Sequence, residues 1–505
     1  MAVAYAIALS VITLYGVNHF WLALRFARTR RQRPGPVPAS MPIPDLPADP
    51  PMVTVQIPMF NEALVADRVI AACARLDYPA EVLEIQVLDD STDATIGVAA
   101  DAVRFWRAHG LNMVHIHRTH RTGYKAGALA EGLRVARGEF VAMFDADFVP
   151  PRNFLRALIH RFTPPDVGFV QARWGHLNDA SNTLTRLQGF GLDAHFALEQ
   201  ESRTSSGYPA GFNGTAGIWR KSCIHDAGGW SADTLTEDLD LSYRAQLRGW
   251  RMVYVSELVV PAELPMEMGG FRAQQHRWTK GAVQAAIKLV GRVATSKRSL
   301  GFRVQGILQL TANIGFPFLV VVALLHAPLG YQKAIGGGPS EVYFALLGLG
   351  LAGFGGFFGA HLLTQRALYP DWGRRIWRFP LFLAASVGMA VSNSMAVGEA
   401  LIGKTSPFVR TPKFNSVDTS EASAWWRSSY ARTRVSAVTV IEAVFAVYTT
   451  LGLAALLSVE AWSAVPFQLL FVTGSWLVVW FTVRDARLAR RVLVGQTGGS
   501  VAVAT

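Results

Sequence analysis

The sequence predicts an α/β, Rossmann-like domain fused to an α-helical transmembrane bundle, and three observations carry that reading. From Gly138 to Asp147 the chain runs through Phe140, Val141, Ala142, Met143 and Phe144 without a polar break, then reaches Asp145 and Asp147. Such a run suits a parallel strand covered on both faces, and ligands of these sheets gather at the carboxyl ends of the strands. From Val53 onward, short apolar runs alternate with helical patterns. The 505 residues are also 51% hydrophobic and 17% charged, too apolar for an ordinary soluble protein and too charged in the middle for a pure membrane bundle. The net charge of +12 sits largely in Arg and Lys beside the apolar segments, which is what membrane insertion produces, so no nucleic-acid partner is expected. Cys73 and Cys223 match no metal or redox spacing and are read as reduced thiols.

Ala2 to Leu24 carries no Asp, Glu, Lys or Arg and is long enough to span ~30 Å of hydrocarbon. Arg25 to Arg33 follow this run, where a cleaved signal peptide would place its charges first, so an anchor with its N-terminus outside is expected. Pro34, Pro36, Pro38, Pro42, Pro44, Pro47, Pro50 and Pro51 mark an extended tether. Strands are expected at Val53–Ile57, Ile85–Leu88 and Met113–His117, with a helix near Ala66–Leu76. The second strand ends in Asp89-Asp90-Ser91-Thr92-Asp93, a turn that either meets a ligand or caps the next helix. Gly123 to Leu129 opens a helix with small residues and Lys125, suited to a phosphate or equally to a plain helix start. Asp145 and Asp147 offer hard oxygen ligands for Mg2+ or Mn2+, though Asp-x-Asp is also common at capped strand ends.

Taken in order, Val55 to Glu62, Asp89 to Asp93, Gly123 to Leu129, Phe144 to Phe148, Gln171 to Trp174, Gly211 to Gly217, Thr236-Glu237-Asp238 and Gln274-Gln275-His276-Arg277-Trp278 resemble the family 2 glycosyltransferases. Within these the wording is similar to the processive cellulose synthase superfamily, and to the plant cellulose-synthase-like A and C groups of mannan and glucan synthases. The resemblance runs from about Val53 to about Gly281 and implies a GT-A fold. It implies that Pro58, Asn61, Glu62 and Asp90 receive the base and ribose of a nucleotide sugar, and that Lys125, Gln274 and Arg277 lie along its diphosphate. Asp147 with Asp145 would ligate the metal, and Asp238 would be the general base. Asn213, Gly214, Thr215 and Trp278 would meet the acceptor sugar. Glu237 and Asp238 also suit the first turn of a helix as dipole partners, and Arg277-Trp278 suits a membrane-interface anchor. The resemblance implies an inverting, metal-dependent hexosyltransferase that makes a β-linked polysaccharide from GDP-mannose or UDP-glucose and moves it across the membrane. The alternative is a non-processive lipid glycosyltransferase similar to ceramide glucosyltransferases.

Further charge-free runs follow at Val304–Gln332, Val342–Gln365, Phe379–Gly398 and Ala461–Val483, with Val435–Val459 broken only by Glu442. If all crossed, Arg410, Lys413, Arg427, Arg432 and Arg434 would lie outside, against the positive-inside bias. Ser386, Ser392, Asn393, Ser394 and the following Glu399 make Phe379–Gly398 amphipathic, so a helix lying in the interface and five crossings are expected. In the family such a helix leads into a gating loop, Phe-x-Val-Thr-x-Lys; here Phe408, Thr411 and Lys413 match and Arg410 replaces the Val, and an ordinary basic loop is the other reading. Thr411 and Lys413 are thereby implied to close over the donor diphosphate. The expected divisions are 1–33, 34–51, 52–270, 271–302, 303–365, 366–434, 435–483 and 484–505. They are respectively anchor, linker, glycosyltransferase domain, amphipathic helices, two membrane helices, interfacial helix with gating loop, two membrane helices, and a short tail without room for a cyclic-di-nucleotide-binding barrel. The expected location is a bacterial cytoplasmic membrane with the catalytic domain in the cytosol, or a Golgi-type membrane in a eukaryote, in contact with membrane lipid.

Overall fold

The computed structural model of the protein describes residues 1–32, 45–406, 408–416, 425 and 435–499, with side chains described to 490. Most of the proline-rich tether, residues 417–424 and 426–434, and the end of the tail therefore lie outside the described residues. The domain after the tether is built on a seven-stranded sheet: β1 (Val53–Met59), β2 (Leu83–Asp89), β3 (Met113–His117), β4 (Phe140–Met143), β5 (Val167–His176), β6 (Gly217–Arg220) and β7 (Arg251–Ala262). Their order is β3-β2-β1-β4-β6-β5-β7. The first four in that order run parallel, β6 is antiparallel to both its neighbours, and β5 pairs with β7 in parallel.

The central strand explains the sheet. Every residue of β4 is buried, with Phe140, Ala142 and Phe144 in one core cluster and Val141 and Met143 in the other. An uninterrupted apolar run is thus divided between two faces by the two-residue strand period. β1 shares this burial but places Thr54 and Gln56 on one face, where the Thr54 hydroxyl donates to Glu84 at 2.6 Å and the Gln56 amide donates to Gln86 at 3.0 Å. Helix Tyr124–Val135 covers that polar ladder, and Gly132 is its point of closest approach, since a Cβ there would stand 2.6 Å from Gln56 Nε2. Turns at the ends of β1, β2 and β4 therefore emerge on one edge.

Five helices are long and apolar enough to cross a membrane: Ala2–Arg31, Leu300–Ala334, Glu341–Leu368, Ala437–Ser458 and Val465–Arg490. A sixth segment is bent, Trp372–Gly388 meeting Ala390–Leu401 at 42°. Contacts at its two ends show where it lies. At the first, Arg375 reaches Asp179 at 3.8 Å and Gln365 at 3.0 Å, and Gln365 in turn donates to Asp193 of the sheet domain at 3.1 Å. At the second, Glu399 accepts from Lys280 at 3.0 Å, on helix Met268–Ala294. Both ends of the bent segment thus touch the domain side.

If the bent segment returns to its starting side, as the contacts at its two ends favour, its exit lies on that side. Lys404, whose side chain is 58% exposed, should therefore, as cysteine, resist a membrane-impermeant thiol reagent in intact cells and react after permeabilisation. Glu341, 84% exposed at the start of a membrane helix, should as cysteine react from outside in intact cells. The native Cys73 and Cys223 are buried and give little background. Outside labelling of both positions would mean six crossings and would remove the loop after Leu401 from the domain.

Candidate active site

Strand ends converge on a pocket lined by Pro58, Glu62, Asp90, Lys125, Asp145, Asp147, Asn213, Gly214, Asp238, Gln274, Arg277, Trp278, Thr411 and Lys413. Fourteen residues singled out from sequence thus share one wall system, although they are spread from position 58 to position 413. Two others stand behind it. Asn61, held at a left-handed φ of 54°, braces the turn after β2 by donating its N–H to Ser91 at 2.8 Å and accepting from the Thr92 N–H at 2.8 Å. Thr215 is fully buried, and its hydroxyl accepts the Asp145 N–H at 2.9 Å, so it supports the carboxylate pair and has no open face toward an acceptor.

Asp145 and Asp147 follow β4, and each is met by a lysine. Lys125 Nζ lies 2.5 Å from Asp145 and donates to the Gly214 carbonyl at 3.0 Å; Lys413 Nζ lies 2.5 Å from Asp147 and 3.2 Å from the Glu263 carbonyl. Burial raises the Asp145 carboxyl, with Lys125 opposing, and burial together with Asp147 and Asp145 pushes Glu62 up to about 7 despite Arg410 at 3.6 Å. This buried negative cluster needs cations. The two carboxylates offer hard oxygens that fit a divalent ion when the ammonium groups move aside, and they would leave most coordination positions to oxygens of a substrate. Among the described residues no three His, Cys, Asp or Glu side chains converge on one metal position.

The loop Phe408–Lys413 enters the pocket from the membrane half. Arg277 donates to the Val409 carbonyl at 2.7 Å and its guanidinium lies 4.6 Å from the Phe408 ring centre, while Phe408 stacks with Tyr124 at 6.0 Å. Thr411 is buried with its hydroxyl unpartnered, an orphan donor of the kind a phosphate oxygen satisfies. Arg410, which interrupts the expected wording, faces Glu62 and so adds a cation to the cluster. The loop's entry root is fixed by Glu399, which holds Lys280, Lys404 at 2.8 Å and His276 at 3.3 Å. His276 is thus part of a polar clamp.

Asp238 occupies the first turn of helix Glu237–Leu247, and its Oδ1 accepts the Leu239 N–H at 2.8 Å. Burial and the neighbouring Glu237 push its carboxyl up to about 7 against the pull of Lys125. Gly214, at φ 78°, closes over it: a Cβ there would stand 2.8 Å from Asp238 Oδ2 and 3.1 Å from Lys125 Nζ. Helix Met268–Ala294 closes the other side, for a Cβ on Gly281 would stand 2.6 Å from Thr236. Asp238, Trp278, Gln274 and Asn213 also line a second cavity of about 480 Å³ that continues toward Phe316 and Phe382 of the membrane half.

Several site residues escaped the sequence reading. Arg118 grips Asp90 through two hydrogen bonds of 2.7 and 2.6 Å, and Arg121 lies 3.5 Å from the Phe60 ring centre. The basic run His117-Arg118-Thr119-His120-Arg121 between β3 and Gly123 was the available signal. Glu263, which accepts the Phe414 N–H at 2.6 Å, carried no distinguishing spacing, and Glu237, expected only as a helix-start acid beside Asp238, stands 4.0 Å from Lys125.

Residues 50–281 match the family described as "Glycosyltransferase like family 2". The chain is 46% identical over 256 residues to glucomannan 4-beta-mannosyltransferase 2 of Arabidopsis thaliana, covering 49% of this chain and 47% of that protein. It is 40% identical over 354 residues to glucomannan 4-beta-mannosyltransferase 1 of Oryza sativa subsp. japonica, covering 65% of this chain and 67% of that protein. The chain thus spans about half the length of the Arabidopsis relative and two thirds of the rice one. Among solved structures, the mannosyltransferase PcManGT from Pyrobaculum calidifontis in complex with GDP-Man and Mn2+ superimposes with a TM-score of 0.52 at 24% identity, over 80% of this chain and all of that one, which establishes the shared fold. Because the rice match extends past the sheet domain into the membrane half, and the family pattern takes in the whole domain that carries the pocket, the chain belongs to the family 2 glycosyltransferases.

Proposed function

We propose that the protein is an inverting mannosyltransferase that extends a β-linked glycan from GDP-mannose and feeds it into the membrane half. The carrying observation is the junction of the two cavities: the cationic and carboxylate pocket opens past Asp238 and Trp278 into a second space running among the membrane helices. Mannose is favoured over glucose because the relatives reported above are glucomannan mannosyltransferases, and the structural neighbour was solved with GDP-Man.

The residues divide the work. Asp90 and the Pro58–Glu62 turn take the base and ribose, while Lys125, Gln274 and Arg277 line the path of the diphosphate. Thr411 and Lys413 close over it from the loop and exclude water. Trp278 offers a flat apolar face to the C–H side of the acceptor's terminal sugar, with Asn213 and Gly214 beside it. Asp238 takes the proton from the acceptor hydroxyl as its oxygen bonds to the anomeric carbon; the bond from that carbon to the diphosphate breaks on the opposite side, so an α-linked donor gives a β-linked product. Asp145 and Asp147 would hold Mg2+ or Mn2+, which when bound neutralises the departing diphosphate.

The test is product analysis on membranes given labelled GDP-mannose or UDP-glucose. An ethanol-insoluble polymer digested by β-mannanase supports the reading; label in a chloroform-soluble lipid, or none transferred, overturns it. Since the raised Asp238 carboxyl must lose its proton to act as a base, kcat/KM should climb about tenfold per pH unit below about 7 and level off above it. Asp238→Asn should lower turnover ~10²-fold or more with donor binding nearly intact, and parallel loss of donor affinity would remove Asp238 from the base role. Asp147→Asn should weaken Mn2+ binding followed by electron paramagnetic resonance in the presence of donor; unchanged Mn2+ titration would exclude it as a ligand.

A further inference from the structure

The first turns of the bent segment carry positive charge that the rest of the chain does not use. Trp372–Arg375 and Ile376–Arg378 form one α turn and one 3-10 turn, which puts Arg374 one turn before Trp377 and Arg378 and gives the three a common side. Arg375, between them, is fully engaged: it donates to Gln365 at 3.0 Å, lies 3.8 Å from Asp179 and 4.0 Å from Asp193, and sets its guanidinium 3.5 Å from the Tyr369 ring centre. Among the described residues the ion pairs of this stretch go to Arg375 alone. Packing brings another arginine to the same place. Phe382 of the bent segment lies with its ring centre 5.4 Å from that of Phe190 and beside Gly191, where a Cβ would stand 2.6 Å from its ring. Helix Thr183–Asp193 is thereby set alongside, and its exposed Arg186 reaches only as far as the Ala180 carbonyl, at 3.0 Å. The charges that weigh most on Arg378 are those of Arg375 and Arg186, ahead of Asp179 and Asp371. Like charges held together repel until an anion lies among them. A second sign is apolar: Trp377 is 81% exposed and Trp372 36%. Indoles so open fit the headgroup level of a bilayer, where Trp is enriched and where anionic lipids attract Arg.

We propose that Arg374 and Arg378, with Arg186 beside them and Trp377 as the apolar wall, form a headgroup site for an anionic phospholipid of the leaflet on the sheet-domain side. The arginines donate to the phosphate oxygens, and the indole lies against the glycerol and the first carbons of the chains. The site rests on the bent segment lying at that interface, which labelling at position 404 tests separately. It does not depend on which sugar the protein transfers. Its place gives it reach, because the same segment ends at Glu399, where the root of the loop over the donor pocket is fixed.

The test is native mass spectrometry of the full chain, purified in detergent and titrated with phosphatidylglycerol or with phosphatidylcholine. The first phosphatidylglycerol should bind about tenfold more tightly than the first phosphatidylcholine, since each arginine near an anionic headgroup is worth about fivefold. Arg374→Gln and Arg378→Gln should each weaken phosphatidylglycerol about fivefold and leave phosphatidylcholine unchanged, while Arg378→Lys, which keeps the charge, should retain most of the preference. Trp377→Ala should weaken both lipids alike. Arg107→Gln, on helix Thr95–Ala108 of the sheet domain, is the control and should change neither. Equal binding of the two lipids by the unaltered chain overturns the site, as does an unchanged preference in both Arg374→Gln and Arg378→Gln. An equal loss in Arg107→Gln also overturns it, because the preference would then belong to net charge. Displacement of phosphatidylglycerol by millimolar inorganic phosphate would give the arginines to a soluble anion and overturn the lipid assignment.

Discussion

Negative charge buried at the end of one strand is the constraint around which this protein is arranged. Asp147, which is buried, cannot stand in that position without a cation, because an unpaired buried charge costs several kcal/mol, and Asp145, partly exposed, adds a second negative charge beside it. One lysine comes from the helix after β3, the other from a loop more than 260 residues further along that rises from the membrane half. Satisfying the pair therefore ties the two halves of the chain to each other, and the pocket exists only where they meet. Gly214 and Gly281 show how closely the remaining pieces approach, since neither leaves space for a methyl group.

Helix Met268–Ala294 transmits that constraint. It carries Gln274, Arg277 and Trp278 in its first half, and on either side of them it fastens both flanks of the loop: Arg272 holds Glu442 at 2.7 Å, and Lys280 holds Glu399. The loop that covers the pocket and the tryptophan offered to the acceptor thus share one rigid support. Such shared support is what keeps a site within the tolerance chemistry needs.

Much of this was legible before any coordinates. Buried parallel strands announce themselves as unbroken apolar runs, and β1, β2, β3 and β4 lie where the sequence expected strands, with Glu237 and Asp238 opening a helix as their charge suggested. Less visible were β5, β6 and β7, whose mixed direction leaves no simple period, and the π-helical segment Ala194–Glu199, which has no sequence signature. Ion pairs across the chain were also hidden: nothing in Arg118 names Asp90, and nothing in Arg410 names Glu62. Thr215 illustrates the opposite error. Motif wording assigned it to the acceptor, yet its hydroxyl is used up beneath the site in fixing the backbone of Asp145.

Lys413 seated on Asp147 has a consequence best counted in populations. A cation seeking that carboxylate meets a site already neutralised and can bind only the fraction of molecules in which the lysine is away. Its apparent dissociation constant is the intrinsic one divided by that fraction, so a lysine absent about one time in a hundred weakens the ion about a hundredfold. Any phosphate that draws Lys413 toward itself restores the ion's access, and by reciprocity the ion then strengthens the phosphate by the same factor. Two weak ligands become one strong pair because a single lysine cannot serve the carboxylate and the phosphate at once.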